Sequence, residues 1–501
     1  MDINKTKDRF ILGLDLGSAT SAIAYFDESK KLPTTINISG GYGNATMPTV
    51  VQYANDSDQW IVGEYALLNQ GEKNSTVVIN FLENIGKRHF ATVKGNKISL
   101  VDIFAVFLQE LVIKIPKNIN PTAEIAGIMV SVPDYYVDIE AFKEAFLKAG
   151  LLDKVIDFVP YSHSVFYHHY YNKKVIKENI LMLDFGGTTL KAGIYSAINN
   201  DINLLTYQKH ETLGTTLIEN YLEDVFTKEY LNRLDKLILT EEETASIKSL
   251  VYEYKNAFFK KAATAKGLKV YFNFANPPFE FRITKENIDT IIMPFKEEFK
   301  SFLKNLHKQL DNLGKPLNIG TVICTGGGFK MDWSLDATKE LFASSNIVSY
   351  TNPKIIAAEG VAILAAKELG VIKKDLSINF TSSYSIVGNV GIYAQDGFMP
   401  IIKKGQIIPF KQYRATVIIA QETEYSSTII DILQETKEAY QTIGQIKIPI
   451  IKRPLRTTKL KLIFEFFRTD TMRVRVVDLG FGEFFLPSGF DKTYEIKLYS
   501  V

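Results

Sequence analysis

One stretch constrains this chain more than any other: Ile180-Leu-Met-Leu-Asp184-Phe-Gly186-Gly187-Thr188-Thr189-Leu-Lys191. It reads as an apolar strand with a carboxylate at its tip, a glycine turn carrying hydroxyls, and a second strand leading away. Such a turn lets backbone N–H groups come close to a phosphate, because glycine has no Cβ in the way. The pattern also stands 169 residues earlier, as Ile11-Leu-Gly-Leu-Asp15-Leu-Gly17-Ser18-Ala19-Thr20, with six identities in ten positions. A repeat at domain-scale spacing predicts two related lobes, each presenting one hairpin to a shared cleft. Asp15 and Asp184, at the two tips, are candidates to hold Mg2+ against the phosphates, directly or through water.

Bulk properties exclude several rival classes. With 58 basic and 56 acidic residues the formal charge is +2, so no global field recruits nucleic acid or an anionic membrane. The only cysteine, Cys324, can form no intrachain disulfide and offers no metal cluster. The first residues, Met-Asp-Ile-Asn-Lys-Thr-Lys-Asp-Arg, are polar, and no apolar run approaches the ~20 residues that span a bilayer. These features predict a cytoplasmic protein with neither nucleic acid nor membrane as partner. The paired His168-His169 has no Cys, Asp or Glu at ligand spacing and reads as a surface helix position rather than a metal site.

Along the chain, Val101 to Ile115 has helical apolar spacing and should be stopped by Pro116. The nearly continuous apolar run 125–133 predicts a buried strand. Helices are expected at 139–149, 217–230, 240–262 and 284–312, with a hairpin around Asn276-Pro-Pro278. A strand at 318–325 ends in Gly326-Gly327-Gly328, and Asn352-Pro353 caps an alanine-rich helix. After residue 380 helical spacing nearly disappears and short alternating strands take over, with turn signals at Asp396-Gly397 and Thr469-Asp470. The domains read as 8–369, a linker at 370–379, and an all-β domain over 380–501.

Two Asp-tipped hairpins, a third glycine turn near residue 327 and a terminal β domain together resemble the DnaK-type 70-kDa heat-shock chaperones. The resemblance runs over nearly the whole chain. It implies an α/β actin-like ATPase fold, two lobes around a nucleotide cleft, followed by a β-sandwich that binds unfolded or extended polypeptide. It also implies ATP or ADP with Mg2+ as cofactors, and other chaperones or co-chaperones as partners. On this likeness the phosphate hairpins are Gly17, Ser18, Ala19, Thr20 and Gly186, Gly187, Thr188, Thr189, with Lys191 beside them. The adenosine side is Gly326, Gly327 and Gly328, with Lys330 where the family has a base-stacking Arg. Asp15 and Asp184 are the residual catalytic and Mg2+-holding carboxylates. Ile392, Phe398 and Ile418 are apolar residues of the β domain that either line a peptide cleft or belong to its core.

The pattern breaks at the residues that drive hydrolysis. The family's Lys and Glu correspond to Leu82 and Val159, and an apolar side chain can neither orient water nor stabilise charge developing in phosphoryl transfer. Lys73 or Lys87 supplies the missing Lys only if the alignment slips. The second hairpin's later Asp is replaced by Lys191, and Ser18-Ala19 stands where the family has two threonines. Glu253 and Lys255 match either the family's ribose-contacting helix or a solvated face. The linker is reduced to Asp375-Leu-Ser-Ile378, and no helical lid is expected after Val501. The expectation is therefore a chaperone or co-chaperone that binds ATP with weak or lost ATPase activity. Its alternatives are a competent protein-folding ATPase and, from another class, an actin-like filament or scaffold protein or a sugar kinase.

Overall fold

A computed structural model describes residues 9–38, 45–68, 74–85, 90–134, 139–171, 178–198, 200–261, 267–312, 318–372, 378–381, 383–385, 389–394, 397–402, 407–409, 414–420, 427–435, 439–454, 456–466 and 471–498. The turns at Asp396 and Thr469-Asp470, and linker residues Asp375 and Leu376, lie outside them. The chain divides into two compact units. One comprises Met1–Gly193, Ile198–Asn200 and Gln208–Ile378; the other comprises Ile194–Ala197, Asp201–Tyr207 and Asn379–Val501. No described helix is long and apolar enough to cross a membrane.

The first unit is mixed α/β, and its two large sheets repeat one strand order. In the first, Val155–Pro160, Glu124–Val132 and Arg9–Leu16 run parallel, and Arg9–Leu16 then pairs antiparallel with Thr20–Asp27. In the second, Asn346–Val348, Ile319–Thr325 and Glu178–Phe185 run parallel, and the start of Leu190–Ile198, whose residues up to Gly193 belong to this unit, follows as the hairpin partner. Each sheet thus carries its Asp at the carboxyl end of a central strand, beside a parallel neighbour: Asp15 opposite Ser131 and Asp184 opposite Thr325. Open α/β sheets bind ligands outside the carboxyl ends of their strands, so the topology alone points both carboxylates at a ligand position.

Packing fixes these strands. The alanine-rich helix Ile356–Glu368 lies on the first hairpin through Ala358 and Ala362, which meet Ala22 and Ala24. Around the first sheet, Phe104 packs edge-on against Phe142 and Phe146, and Phe146 against Phe158, in a buried aromatic cluster. Cys324 is fully buried in its strand, a small apolar filler whose thiol burial pushes up. The paired histidines depart from the sequence reading. His169 is buried, and His168 Nε2 lies 3.1 Å from Glu359 Oε2, tying the helix Tyr161–Tyr170 to Ile356–Glu368.

Pro116 also departs from expectation, because it does not end the helix. An α-helical run Leu100–Leu108 widens into a π-helical turn at Gln109–Lys114, and a further short helix Ile115–Ile119 begins with Pro116 in its first turn. The proline ring's fixed φ suits this first turn, so the helical path continues through it.

The second unit contains two four-stranded antiparallel sheets. One orders Gly397–Ile402, Val390–Ala394, Thr428–Glu435 and Tyr440–Ile448; the other orders Arg414–Ala420, Lys459–Phe466, Thr471–Asp478 and Asp491–Lys497. Alternate residues of both, such as Ile392, Ile432 and Ile446 from one and Leu462, Phe464 and Val474 from the other, share one core, as in a sandwich. Ile392 is therefore core. Phe398 is half-buried against Tyr440, with ring centroids 4.1 Å apart, and the side chain of Ile418 lies outside the described set.

A buried ion pair closes one end of this sandwich. Arg453 grips Asp478 with two bonds of 2.8 and 2.9 Å, and Asp478 also accepts from the Gly480 and Ser488 amides. Burial opposes the charged carboxylate, yet the guanidinium and these hydrogen bonds hold its pKa well below the usual range. Stability from this group is present above the ordinary carboxylate pKa and is lost as pH falls through the depressed one. Asp478→Ala, which strands a buried guanidinium, should destabilise the protein by about 3–5 kcal/mol in denaturant titration. A change under about 1 kcal/mol would show that water reaches and solvates the pair.

Candidate functional site

Both hairpins line a single cavity of about 350 Å3 in the first unit. Asp15, Gly17, Ser18, Ala19 and Thr20 contribute from one; Asp184, Gly186, Gly187, Thr188, Thr189 and Lys191 contribute from the other. The tips nearly touch, since a Cβ added to Gly187 would fall 2.4 Å from the Cβ of Ala19. Only a glycine allows this approach.

Each tip is braced from behind. Thr49 donates its amide to the Ala19 carbonyl at 3.0 Å and its hydroxyl to the Gly17 carbonyl at 2.7 Å. On the other side, the Gly186 amide closes its own hairpin on the Thr189 carbonyl at 2.9 Å. The helix Thr215–Arg233 then begins against this turn, its Thr215 and Thr216 amides donating to the Gly186 and Gly187 carbonyls at 3.1 and 2.8 Å. Carbonyls are thereby satisfied by the scaffold.

The third glycine turn enters beside Asp184. Gly326 and Gly327 line the cavity. Gly326 has φ +85°, and a Cβ there would lie 2.4 Å from the Phe185 carbonyl oxygen and 2.7 Å from Asp184 Oδ1, so the site requires glycine on both counts. Gly328 and Lys330 do not line it. Gly328 is packed against the Phe185 ring, whose atoms leave no room for a side chain, and Lys330 is exposed on the short turn Gly327–Lys330 that follows.

Two helices, of which only Lys255 was singled out in the sequence, complete the walls. Thr216, Glu219, Asn220 and Glu223 face the cavity from Thr215–Arg233, and Lys248, Val251, Tyr252 and Lys255 face it from Glu241–Lys261. Lys255 Nζ pairs with Glu219 Oε2 at 3.2 Å and lies 4.5 Å from the Tyr252 ring centroid. Lys255 is thus a wall residue, whereas Glu253 is exposed and absent from the lining. Both quartets sit at helical i, i+3, i+4, i+7 spacing, which was the available signal.

The electrostatics are those of a tight, mixed-charge site. Burial, then the neighbouring Asp184 charge, raises the Asp15 carboxyl to about 7, against the opposing influence of Ser131 and Lys191. Lys191 Nζ stands 3.0 Å from Asp184 Oδ2, and the two side chains are only 16% and 12% exposed. Tyr161 sits beneath them, its phenol pushed up by burial and then by the charges of Asp184 and Asp15. Asp134 receives the amide and hydroxyl of Ser162 at 2.9 and 2.7 Å, and burial raises its carboxyl. Among the described residues no three His, Cys, Asp or Glu side chains form a metal-holding group. Neither Leu82, packed on the first sheet's core, nor Val159, buried in its strand, lines the cavity. Lys73 and Lys87 lie outside the described residues.

Lys354 is the wall residue most easily missed. Its Cε fills the space where a Gly327 side chain would stand, and no described carboxylate pairs with it. Burial, then Lys255 and Lys330, lowers its pKa from 10.5 to about 8, while Glu219 opposes. The unfolded chain therefore holds this proton more tightly than the folded one, so the lysine destabilises the fold below pH 8, and the cost fades between pH 8 and 10.5. Lys354→Met should stabilise the unliganded protein by about 1–2 kcal/mol at pH 7, measured by denaturant titration, while weakening binding of an anionic ligand. Loss of stability in this variant would contradict the assignment of an uncompensated ammonium.

Comparison with known proteins agrees with this layout at a coarse level. Over 493 residues the chain is 23% identical to the chaperone protein DnaK of Thermosipho melanesiensis, covering 95% of this chain and 80% of that protein. Residues 383–498 match a domain of unknown function (DUF8552). Residues 32–347, well over half of the chain, match the profile described as family of unknown function (DUF5716), C-terminal, and to that family the chain belongs.

Proposed function

We propose that this chain is a divergent DnaK-like chaperone or co-chaperone with an actin-like nucleotide-binding fold. It binds ATP or ADP between the two hairpins, hydrolyses ATP slowly or not at all, and holds extended polypeptide through its β-sandwich unit. One observation carries the reading: two duplicated glycine turns, each following a strand-tip Asp, meet tip to tip at one cavity. Backbone amides at such turns suit phosphate oxygens, and Lys191, Lys248, Lys255 and Lys354 supply positive charge around them. The likeness to DnaK along nearly the whole chain supports the same ligand class.

Weak turnover follows from what the cavity wall lacks, since Leu82 and Val159 offer no proton acceptor and stand away from it. A competent ATPase is the second reading, favoured by Asp15, whose carboxyl near 7 has the proton affinity of a general base. Polypeptide binding draws support from apolar side chains exposed on the second unit, among them Phe484 at 90%, Leu486 at 75% and Tyr393 at 60%.

Calorimetry with ATP followed by single-turnover hydrolysis tests both halves. Binding is expected, with phosphate release below about 10⁻³ s⁻¹, the range of a phosphate cradle lacking its catalytic arm. Faster release, abolished by Asp15→Asn, would favour the second reading. A folded protein that binds neither ATP nor ADP would remove the nucleotide assignment altogether.

A further inference from the structure

Resting on the phosphate-ligand reading above, we propose that this cavity binds its nucleotide without a divalent metal ion, the Lys191 ammonium serving as the resident counter-cation. Lys191 leaves the second hairpin two residues after Thr189, on the same face of the outgoing strand, and so reaches back to the tip carboxylate of its own hairpin. Nζ lies 3.0 Å from Asp184 Oδ2 and 5.9 Å from the Tyr161 ring centroid, an arrangement that anchors the ammonium at the cavity wall.

The carboxylate chemistry does not suit a divalent ion here. Mg2+ takes oxygen ligands in near-ideal octahedral geometry and is drawn to carboxylates that carry unneutralised charge. Of the two tip carboxylates, Asp184 is already neutralised by an ammonium at contact distance, and a divalent ion at Asp184 would stand beside that ammonium. The other tip carboxylate, Asp15, also lies in the field of the Lys191 ammonium, which opposes a second cation there as well.

The wall's own charges balance without a metal ion. Lining acids Asp15, Asp184, Glu219 and Glu223 are matched by lysines 191, 248, 255 and 354, four against four. An arriving polyphosphate can take a share of the Lys191 ammonium from Asp184, because an ammonium has three donors and can serve both oxygens at once. The exchange moves no metal and breaks no covalent bond.

Titration of the full chain with ATP in EDTA, and again in excess Mg2+, tests this directly. Affinities within about threefold of each other are expected, a difference under about 0.7 kcal/mol. Lys191→Asp, which puts a carboxylate where the ammonium stands, should lose at least about tenfold in EDTA and recover when Mg2+ is added. Wild-type binding that needs Mg2+ would overturn the metal-free proposal and leave the nucleotide reading standing. Absence of binding in both buffers, with the fold intact by circular dichroism, would overturn both.

Discussion

The contact on which the site depends is the meeting of Gly187 with Ala19. A side chain larger than hydrogen at 187 would force the hairpin tips apart, because its Cβ would come within 2.4 Å of Ala19. With the tips together, two sheets built to one strand order direct their carboxyl ends at one space. Thr49 on one side and the start of the helix Thr215–Arg233 on the other hold the turns there. The duplicated sequence is therefore more than a trace of ancestry. It makes two half-sites that are each incomplete, and a cavity exists only where they converge.

Charge sets the character of that cavity. Burial makes isolated charges costly, and the site answers by pairing half of its lining charges: Lys191 with Asp184, Lys255 with Glu219. Two groups are left strained in opposite senses, a carboxyl at Asp15 held near 7 and an ammonium at Lys354 held near 8. Both shifts come first from burial and then from like-charged neighbours. An anionic ligand would bring Lys354 the partner it lacks. Stability withheld from the fold at this position is then available to binding, the usual trade between a stable scaffold and a prepared site.

Much of this was legible in the residues before any coordinates. Asp15 and Asp184 stand at strand tips before glycine, and the alternating strands after residue 380 mark the β unit by their period. Lys354 was not legible, because one lysine after an Asn-Pro pair has no periodicity and matters only once the fold carries it to Gly327. The wall residues of 216–223 and 248–255 do have helical spacing, but a polar stripe looks the same whether it faces water or a ligand. The glycine run was visible, but not that Gly326 and Gly327 line the cavity while Gly328 packs on the Phe185 ring. Pro116 misled because a π-helical turn upstream resets the helix so that proline falls in a permitted first turn.

Hydrogen exchange at the two turns is the most direct measure of whether they act as one grip. Amides at 16–20 and 186–190 should slow together on adding ADP, with protection rising at both over the same ligand concentrations. Protection at one turn alone, or at neither while the ligand is bound elsewhere, would contradict a shared phosphate site built from both halves of the repeat.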